Sequence, residues 1–341
     1  MAKRPTMHDV AAAAEVSQAV VSLVLSGNSA GRASETTAQR VRDAAAELGY
    51  RTNLQAKTLK TGVAEIIGLV GDQVATSPFS GQLIKGAQDR AWRDGNALMT
   101  IDTGGDEKLR SAAYEVLLSH QVRGVLVTLD YHREIEVPEE ALEVRAVCLN
   151  GRDLTGRVPS VVPDEEQGGY DAARVLLDAG HTRIGMINIY PTATLPAARD
   201  RLRGYERALT EAGIAPDPEL VVPGHGTQAD GEQGTRALLA LEEPPTAIFC
   251  GNDRTALGAY QELQSRGLRV PEDMSIVGFD DHDVLQDFFH PPLTTLGLPY
   301  LAMGELAAGL ILDPSAPPEV HAVPCPVIRR GSVAPQRGHS A

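Results

Sequence analysis

Gln18 is the first residue of this chain whose chemistry suggests a task. Its amide can pair in two directions with an adenine edge. Ala19 and Leu23 can offer apolar contact to a thymine methyl. Thr6, Ser17, Ser22 and Asn28 can donate to phosphate oxygens, as can Lys3 and Arg4 in an N-terminal arm. This is the chemistry of reading, not of bond breaking. No H-E-x-x-H occurs, and Asp171, His181 and Ser275 make a triad only if spacing is ignored. Neighbouring carboxylates such as Asp280 and Asp281 do not naturally converge on one substrate atom. No G-x-G-x-x-G follows a first strand and no Walker motif is present, so no nucleotide cofactor is expected. Cys148, Cys250 and Cys325 stand apart, without metal-ligand spacing, and suit a reducing cytoplasm. The expectation is a protein that is not an enzyme and uses neither cofactor nor metal.

Reading a base edge needs a helix held at its surface, and the residues around Gln18 supply one. Thr6 to Ser26, TMHDVAAAAEVSQAVVSLVLS, reads as two short helices joined by a tight break. Thr6 can cap the first, with Asp9 three residues on as a capping box. Val10, Ala13 and Ala14 give it an apolar face, and Glu15-Val16 makes the turn. Ser17 can cap the second helix, whose Val20, Val21 and Val24 recur on its inner side. That leaves Gln18, Ala19, Ser22 and Leu23 for the exposed side. A third helix follows Ser34, with Ala38, Val41, Ala45 and Leu48 inward and Gly49 as its stop. Three short helices around a valine-alanine core fit a helix-turn-helix DNA-binding domain. An ordinary three-helix packing unit would show the same periodicity.

Charge is divided along the chain. The 341 residues carry a formal net charge of -14. Residues 1–60 nevertheless contain eight basic and five acidic side chains, against 23 and 40 in the remainder. A basic head can meet phosphate while an acidic body stays clear of it. No apolar run approaches ~20 residues, so no membrane span is expected. The basic start MAKRPTMHD has no hydrophobic region after it and does not read as a signal peptide.

After Gly62 the pattern changes. Apolar strands are expected at 66–70, 97–101, 125–129, 146–149, 184–189, 247–250 and 274–279. Helices are expected at 79–94, 109–119, 170–179, 201–212 and 255–266. Unbroken apolar strands between amphipathic helices imply parallel sheets covered on both faces.

The wording of the head is more specific than its periodicity. Thr6, Asp9-Val10-Ala11, Val16-Ser17 and Val21-Ser22-Leu23-Val24-Leu25 resemble the opening of the lactose-repressor/galactose-repressor family of bacterial transcription regulators. Leu48-Gly49-Tyr50-Arg51-Thr52-Asn53, running on to Ala56 and Leu59, resembles that family's hinge motif, with Thr52 in place of its usual proline. Further matches are Gly180-His181-Thr182-Arg183-Ile184, Arg201-Leu202-Arg203-Gly204-Tyr205, Asn252-Asp253, Gly267 to Asp281, Pro292-Leu293-Thr294-Thr295, and Arg329 with Ser332. They span nearly the whole chain. Two departures stand in the head: Leu23 where the family usually has arginine, and Glu15 where its turn usually has glycine. The first removes the donor with which the usual arginine would meet a base edge, because leucine cannot donate to guanine.

The resemblance implies an all-α helix-turn-helix head over 1–50, a hinge over 51–62, and an α/β body over 63–341. The body would be two interleaved, doubly wound parallel-sheet lobes, similar to periplasmic sugar-binding proteins, joined by three crossovers around a cleft. By family position Arg201, Asn252, Asp280, Asn150 and Thr128 would face the effector, and Phe79 and Tyr300 would meet a sugar ring. Leu298 stands where some relatives carry a polar ligand residue. Asn53, Ala56 and Leu59 would join the DNA contacts, with Leu59 wedged between base steps of the minor groove. The implied partners are palindromic operator DNA, a second copy of the chain and a sugar-like small-molecule effector, which would act as an inducer that releases the repressor. A corepressor, such as a purine or a protein, would use the same cleft with the opposite sign. A soluble sugar-binding protein would explain the body but not the head.

Overall fold

In the computed structural model, residues 5–25, 32–51, 58, 62–77, 80–189 and 195–336 are described. The chain forms two compact units, residues 1–64 and 65–341.

In the first unit, α1 spans Met7–Ala13, α2 spans Gln18–Leu25 and α3 spans Glu35–Glu47. Thr6 caps α1 in a full capping box with Asp9. The Ser17 hydroxyl accepts from the Val20 amide, 3.4 Å, at the start of α2, and Ser34 caps α3. Gly49, at φ +63°, ends α3: its amide bonds Ala46 and the Tyr50 amide reaches back to Ala45, which satisfies two terminal carbonyls. Val10, Val21 and Val41 are fully buried at the centre. Two expected core positions lie outside it. Ala13 is exposed, because the inner face of α1 runs through Val10, Ala11 and Ala14. Leu48 is 39% exposed, because α3 has ended and Ala44 takes the inward position.

The turn between α1 and α2 holds Glu15 at φ +53°. That left-handed conformation costs a side-chain-bearing residue about 1–2 kcal/mol, partly offset by the greater freedom glycine has when unfolded. Glu15→Gly is therefore expected to stabilise the head by about 0.5 kcal/mol. Chemical denaturation of the head followed by circular dichroism checks this, and a lower midpoint would contradict it.

The second unit holds two six-stranded sheets. The first contains β1 (Ile66–Gly71), β2 (Ala97–Asp102), β3 (Gly124–Ile135), β4 (Arg145–Asp153), β5 (Ser160–Pro163) and β11 (Val320–Val323), in the order β2-β1-β3-β4-β5-β11. The second contains β6 (Ile184–Ile187), β7 (Val221–Val222), β8 (Ala247–Cys250), β9 (Ser275–Asp280), β10 (Thr294–Gly297) and β12 (Val327–Ile328), in the order β7-β6-β8-β9-β10-β12. Pairing is parallel throughout except β10 with β12. The order reverses between β1 and β3 in one sheet and between β6 and β8 in the other, so both lobes carry the same switch point.

Helices cover both faces of each sheet. They are α4 (Ser80–Arg93), α5 (Glu107–Ser119), α6 (Glu165–Asp178), α7 (Pro196–Glu211), α8 (Gln228–Leu239), α9 (Asp253–Ser265), α10 (Asp283–Gln286) and α11 (Tyr300–Leu312). Successive strand residues alternate between layers. Ile67, Leu69, Leu126 and Val147 pack toward α4 and α11, while Val70, Val125, Val127 and Cys148 pack toward α5. In the second lobe Met186, Phe249 and Phe279 face α6 and α7, and Ile187, Ile248 and Ile276 face α8 and α9.

The chain passes between the lobes three times. It leaves the first lobe after β5, so that α6 packs in the second. It returns after β10, when α11 packs on α4, and crosses again after β11 to finish as β12. Three helix pairs approach closely through reciprocal glycines: Gly86 and Gly304 for α4 and α11, Gly169 and Gly204 for α6 and α7, and Gly231 and Gly258 for α8 and α9. A methyl group on any of the six would overlap backbone of the partner helix.

Candidate functional site

On the head, Gln18, Ala19, Ser22 and Leu23 occupy the side of α2 turned away from Val21 and Val24. Gln18 and Ala19 are exposed; Ser22 and Leu23 are half-buried. Thr6 and Ser17 are exposed at the N-termini of α1 and α2, where free backbone amides also favour phosphate. Asn28, Asn53, Ala56 and Leu59 lie outside the described residues. So does the string Gly27-Asn28-Ser29-Ala30-Gly31, which spells G-x-S-x-G but follows a helix, whereas a nucleophile elbow follows a strand.

In the body, a cavity of about 420 Å³ lies at the carboxyl ends of strands from both sheets. Parallel α/β sheets gather ligands at this place because the loops there are free to vary while the strands stay rigid. Gln73 and Thr76 follow β1, and Asp130, Tyr131 and His132 come from β3. Glu165 opens α6 and Arg201 lies on α7. Asn252 follows β8, Asp280 ends β9, and Leu298 and Tyr300 follow β10.

Arg201 is the centre of the polar wall. It is 3% exposed. Its Nε donates to Glu165 Oε2 at 2.6 Å, its Nη1 donates to the Gly251 carbonyl, and Asp280 Oδ1 stands 3.7 Å from Nη1. Its guanidinium carbon lies 3.7 Å from the centre of the Phe279 ring. Burial opposes the charge of Arg201, but Glu165 and Asp280 more than offset it and hold the group ionised. Burial pushes Asp280 well above the usual carboxylate range, against the pull of Arg201. Glu165, at hydrogen-bond distance, is therefore the partner in the ion pair, and Asp280 keeps its proton to higher pH. Burial also holds the His132 imidazole below its ordinary value, although Glu165, 4.0 Å away, pulls the other way.

Four of the expected effector residues meet here: Arg201, Asn252, Asp280 and Tyr300. Asn252 has a second occupation. Its Oδ1 accepts from the Thr255 amide as the cap of α9, and its Nδ2 donates to the Gly226 carbonyl. Thr128 and Asn150 do not line this cavity. Asn150 is fully buried at φ +59° and donates to the Leu129 carbonyl, 3.1 Å, so its amide shapes the strand end instead. Phe79 lies outside the described residues. Glu165, Asp130 and His132 escaped the sequence reading. Glu165 sits in the run Asp164-Glu165-Glu166, which reads as an ordinary acidic first turn of a helix. Asp130 and His132 fall beyond the expected end of β3 at 129.

Next to the site, Asp253 is fully buried and holds loop to sheet. It accepts the Thr295 hydroxyl at 2.7 Å and the His282 amide at 2.8 Å. Burial pushes its carboxyl up to about 7, with the Thr295 and His282 hydrogen bonds pulling back. The folded state thus favours the protonated form. That contribution is complete below about pH 4 and is lost as pH rises through about 7. Melting temperatures of the full chain should fall across this window, and Asp253→Asn should flatten the slope; an unchanged slope would assign the effect elsewhere.

His181 and Ser275 do meet, at 3.0 Å, but Ser275 is fully buried and Asp171 pairs with Gln167 instead. His181 also contacts Thr246 and the Ala334 carbonyl, so it fastens the C-terminal segment. Ser332 does the same, linking Thr294 and Ile276. All three cysteines are buried and free. Among the described residues no cluster of metal-binding side chains occurs, and no single helix is long and apolar enough to cross a membrane.

Residues 6–53 match the family model for bacterial regulatory proteins, lacI family, and residues 160–333 match that for a periplasmic binding protein-like domain. The ribose operon repressor of Haemophilus influenzae is 34% identical over 310 residues, which cover 90% of this chain and 91% of that one. The chain belongs to the lacI family of bacterial regulatory proteins. It is a ligand-responsive, DNA-binding transcription regulator, and its family is not one of enzymes. The HTH-type transcriptional repressor PurR of Aliivibrio salmonicida is 32% identical over 312 residues, covering 90% and 91% of the two chains. Among solved structures of lacI-type proteins, the lac repressor dimer bound to operator and the anti-inducer ONPF aligns with a TM-score of 0.72 at 26% identity, covering 97% of this chain and all of that one. The transcriptional regulator CelR in complex with cellobiose aligns at 0.66 with 29% identity, covering 96% and 100%. The head-plus-two-lobe architecture expected from the sequence is thus the architecture of the lacI-family fold.

Proposed function

We propose that this chain is a cytoplasmic, dimeric repressor whose affinity for a palindromic operator is set by a small polar effector in the cleft. The observation that carries this reading is the buried Arg201–Glu165 pair with Asp280, lining a cavity whose 420 Å³ falls within the range of small-molecule sites, roughly 300–1,000 Å³. An arginine, two carboxyls and an amide divide donors and acceptors among the polar atoms of one ligand. Tyr131 and Tyr300 add aromatic side chains to the lining. Gln18, Ala19, Ser22 and Leu23 would read bases, and Thr6, Ser17 and Asn28 would hold phosphates. Asn53, Ala56 and Leu59 would act at the centre of the operator, and Phe79 beside the effector.

The sign of the response has two candidates. The repeated matches to repressors named PurR favour a corepressor, for which a purine is the natural class. The ribose operon repressor and the cellobiose complex favour a sugar. In either case the ligand can shift operator affinity only by its differential affinity for the two states of the body. The test is fluorescence anisotropy of the full chain on an operator selected by that chain, titrated with hypoxanthine, ribose and cellobiose in turn. A corepressor purine should tighten the complex by about tenfold or more, and a sugar inducer should weaken it as much. A chain that selects no operator would sink the reading; one that does, but ignores all three ligands, would leave effectors of these classes without support.

A further inference from the structure

Behind the wall of the cleft lies a second cavity, of about 180 Å³, where β1 and β3 end on the side of the sheet covered by α5. Four side chains that line it carry buried hydrogen-bonding atoms without a protein partner. These are the hydroxyls of Tyr114 and Thr128 and the Nε atoms of Arg110 and Arg133. Tyr114 and Thr128 are each 1% exposed. Buried polar atoms are nearly always paired, so four around one void call for an occupant. They share one trait. All four can donate, and a guanidinium Nε can do nothing else. The missing partner is therefore rich in acceptors. Asp72 and Glu136 also line the cavity, but Asp72 already accepts the Thr103 hydroxyl, and Glu136 is exposed. The volume admits about six water-sized groups, enough for one phosphate or a short hydroxy acid.

We propose that this cavity binds a small oxyanion, a phosphate or a short carboxylate, held by Arg110, Arg133, Tyr114 and Thr128. Its position also gives it a route to the cleft. The pairing of β3 with β4 slips between Thr128 and Arg133, and such irregularities re-aim side chains. Asp130, Tyr131 and His132 from this stretch line the cleft, whereas Thr128, Leu129 and Arg133 line the second cavity. Arg133 also stacks 4.7 Å from the Tyr131 ring centre and donates to Asp130 at 3.4 Å. An anion that draws Arg133 inward therefore alters two groups of the cleft. This coupling, unlike the site itself, rests on the cleft being the effector site.

Calorimetric titration of the full chain with inorganic phosphate and, separately, with lactate tests the site. Crystals of the full chain soaked in selenate locate the anion by its anomalous signal. Binding of at least one anion is expected, weakened about tenfold or more in Arg110→Gln and in Tyr114→Phe, with a selenate peak in the cavity. Phosphate alone binding would identify the occupant as phosphate, and lactate alone as a carboxylate. Absence of both heat and peak means that water fills the void and overturns the proposal. Binding that survives both substitutions overturns it too. Should either variant fail to fold, the wild-type selenate map decides. Effector titrations of the operator complex with and without the anion then read the coupling; identical curves would remove the coupling and leave the site standing.

Discussion

Replacing Arg201 with alanine is expected to abolish effector binding and to destabilise the body by about 3–5 kcal/mol. The residue holds three elements at once. Glu165 begins α6, the Gly251 carbonyl follows β8, and Asp280 ends β9. Without the guanidinium, Glu165, 3% exposed at its side chain, and Asp280, 9% exposed, face each other with no positive charge between them. Removing one member of a buried pair costs more than the pair is worth, because the charge left behind has lost its solvation. The deficit should shrink as pH falls and Asp280 takes up its proton, since burial already pushes its carboxyl upward. Arg201→Lys restores the charge but not the fork, so it should recover part of the stability and little of the binding. Urea unfolding at two pH values, with effector titrations of the operator complex, measures all three effects. Wild-type stability for the alanine variant would overturn this account of the pair.

The second large effect is expected from Gly204→Ala. A methyl group there would overlap the Glu166 carbonyl and the Tyr170 amide on α6, both of them backbone. Side chains can rotate away from an intruder, but two helix backbones can only move apart. The cost should be about 3 kcal/mol, at the upper end of overpacking. Binding should suffer as well. Gly169, the reciprocal glycine, faces the backbone of Arg201 itself, so separating α6 from α7 pulls Arg201 away from Glu165. Gly81→Ala is the matched control. That glycine lies in α4 with nothing near its missing methyl, so the change should be neutral or stabilising by up to about 1 kcal/mol. Equal losses for the two variants would mean that helix contact is not the cause.

How far the sequence could be read follows from where its signals were local. The head was legible because caps and valine spacing act within a few residues: Thr6 with Asp9, Ser34 and Gly49 all hold the roles expected of them. Strand β8 falls on the expected residues, 247–250, because a four-residue apolar run between polar turns leaves little choice. Helix α11 was missed because YLAMGELAAGLIL is apolar nearly all round, so it has no 3.6-residue stripe to recognise. Helix α8 was missed because Gly231 and Gly234 read as breakers, whereas Gly231 serves close packing against α9. Strands β5, β7, β10, β11 and β12 are two to four residues long and owe their existence to neighbours far along the chain. The site divides in the same way. Arg201 and Asp280 were found through family position, but Glu165 is 36 residues from its arginine, and only the crossover after β5 brings them together. Thr128 lines the second cavity and Asn150 bonds the Leu129 carbonyl, a distinction that depends on the slip between β3 and β4.

The three passages between the lobes also bear on how the protein is made. Helix α11 and strand β11, which close the first lobe, come from residues 300–323, long after Pro163 ends the main run of that sheet. At ordinary ribosomal speeds the intervening stretch takes on the order of ten seconds to emerge. During that time the apolar face formed by Ile67, Leu69, Leu126 and Val147 has α4 but lacks α11, the second helix that covers it. The nascent chain must be shielded from other apolar surfaces until translation is nearly complete. A stop codon before residue 300 would therefore leave no half-working sensor, only a half-covered sheet for the cell's proteases to clear.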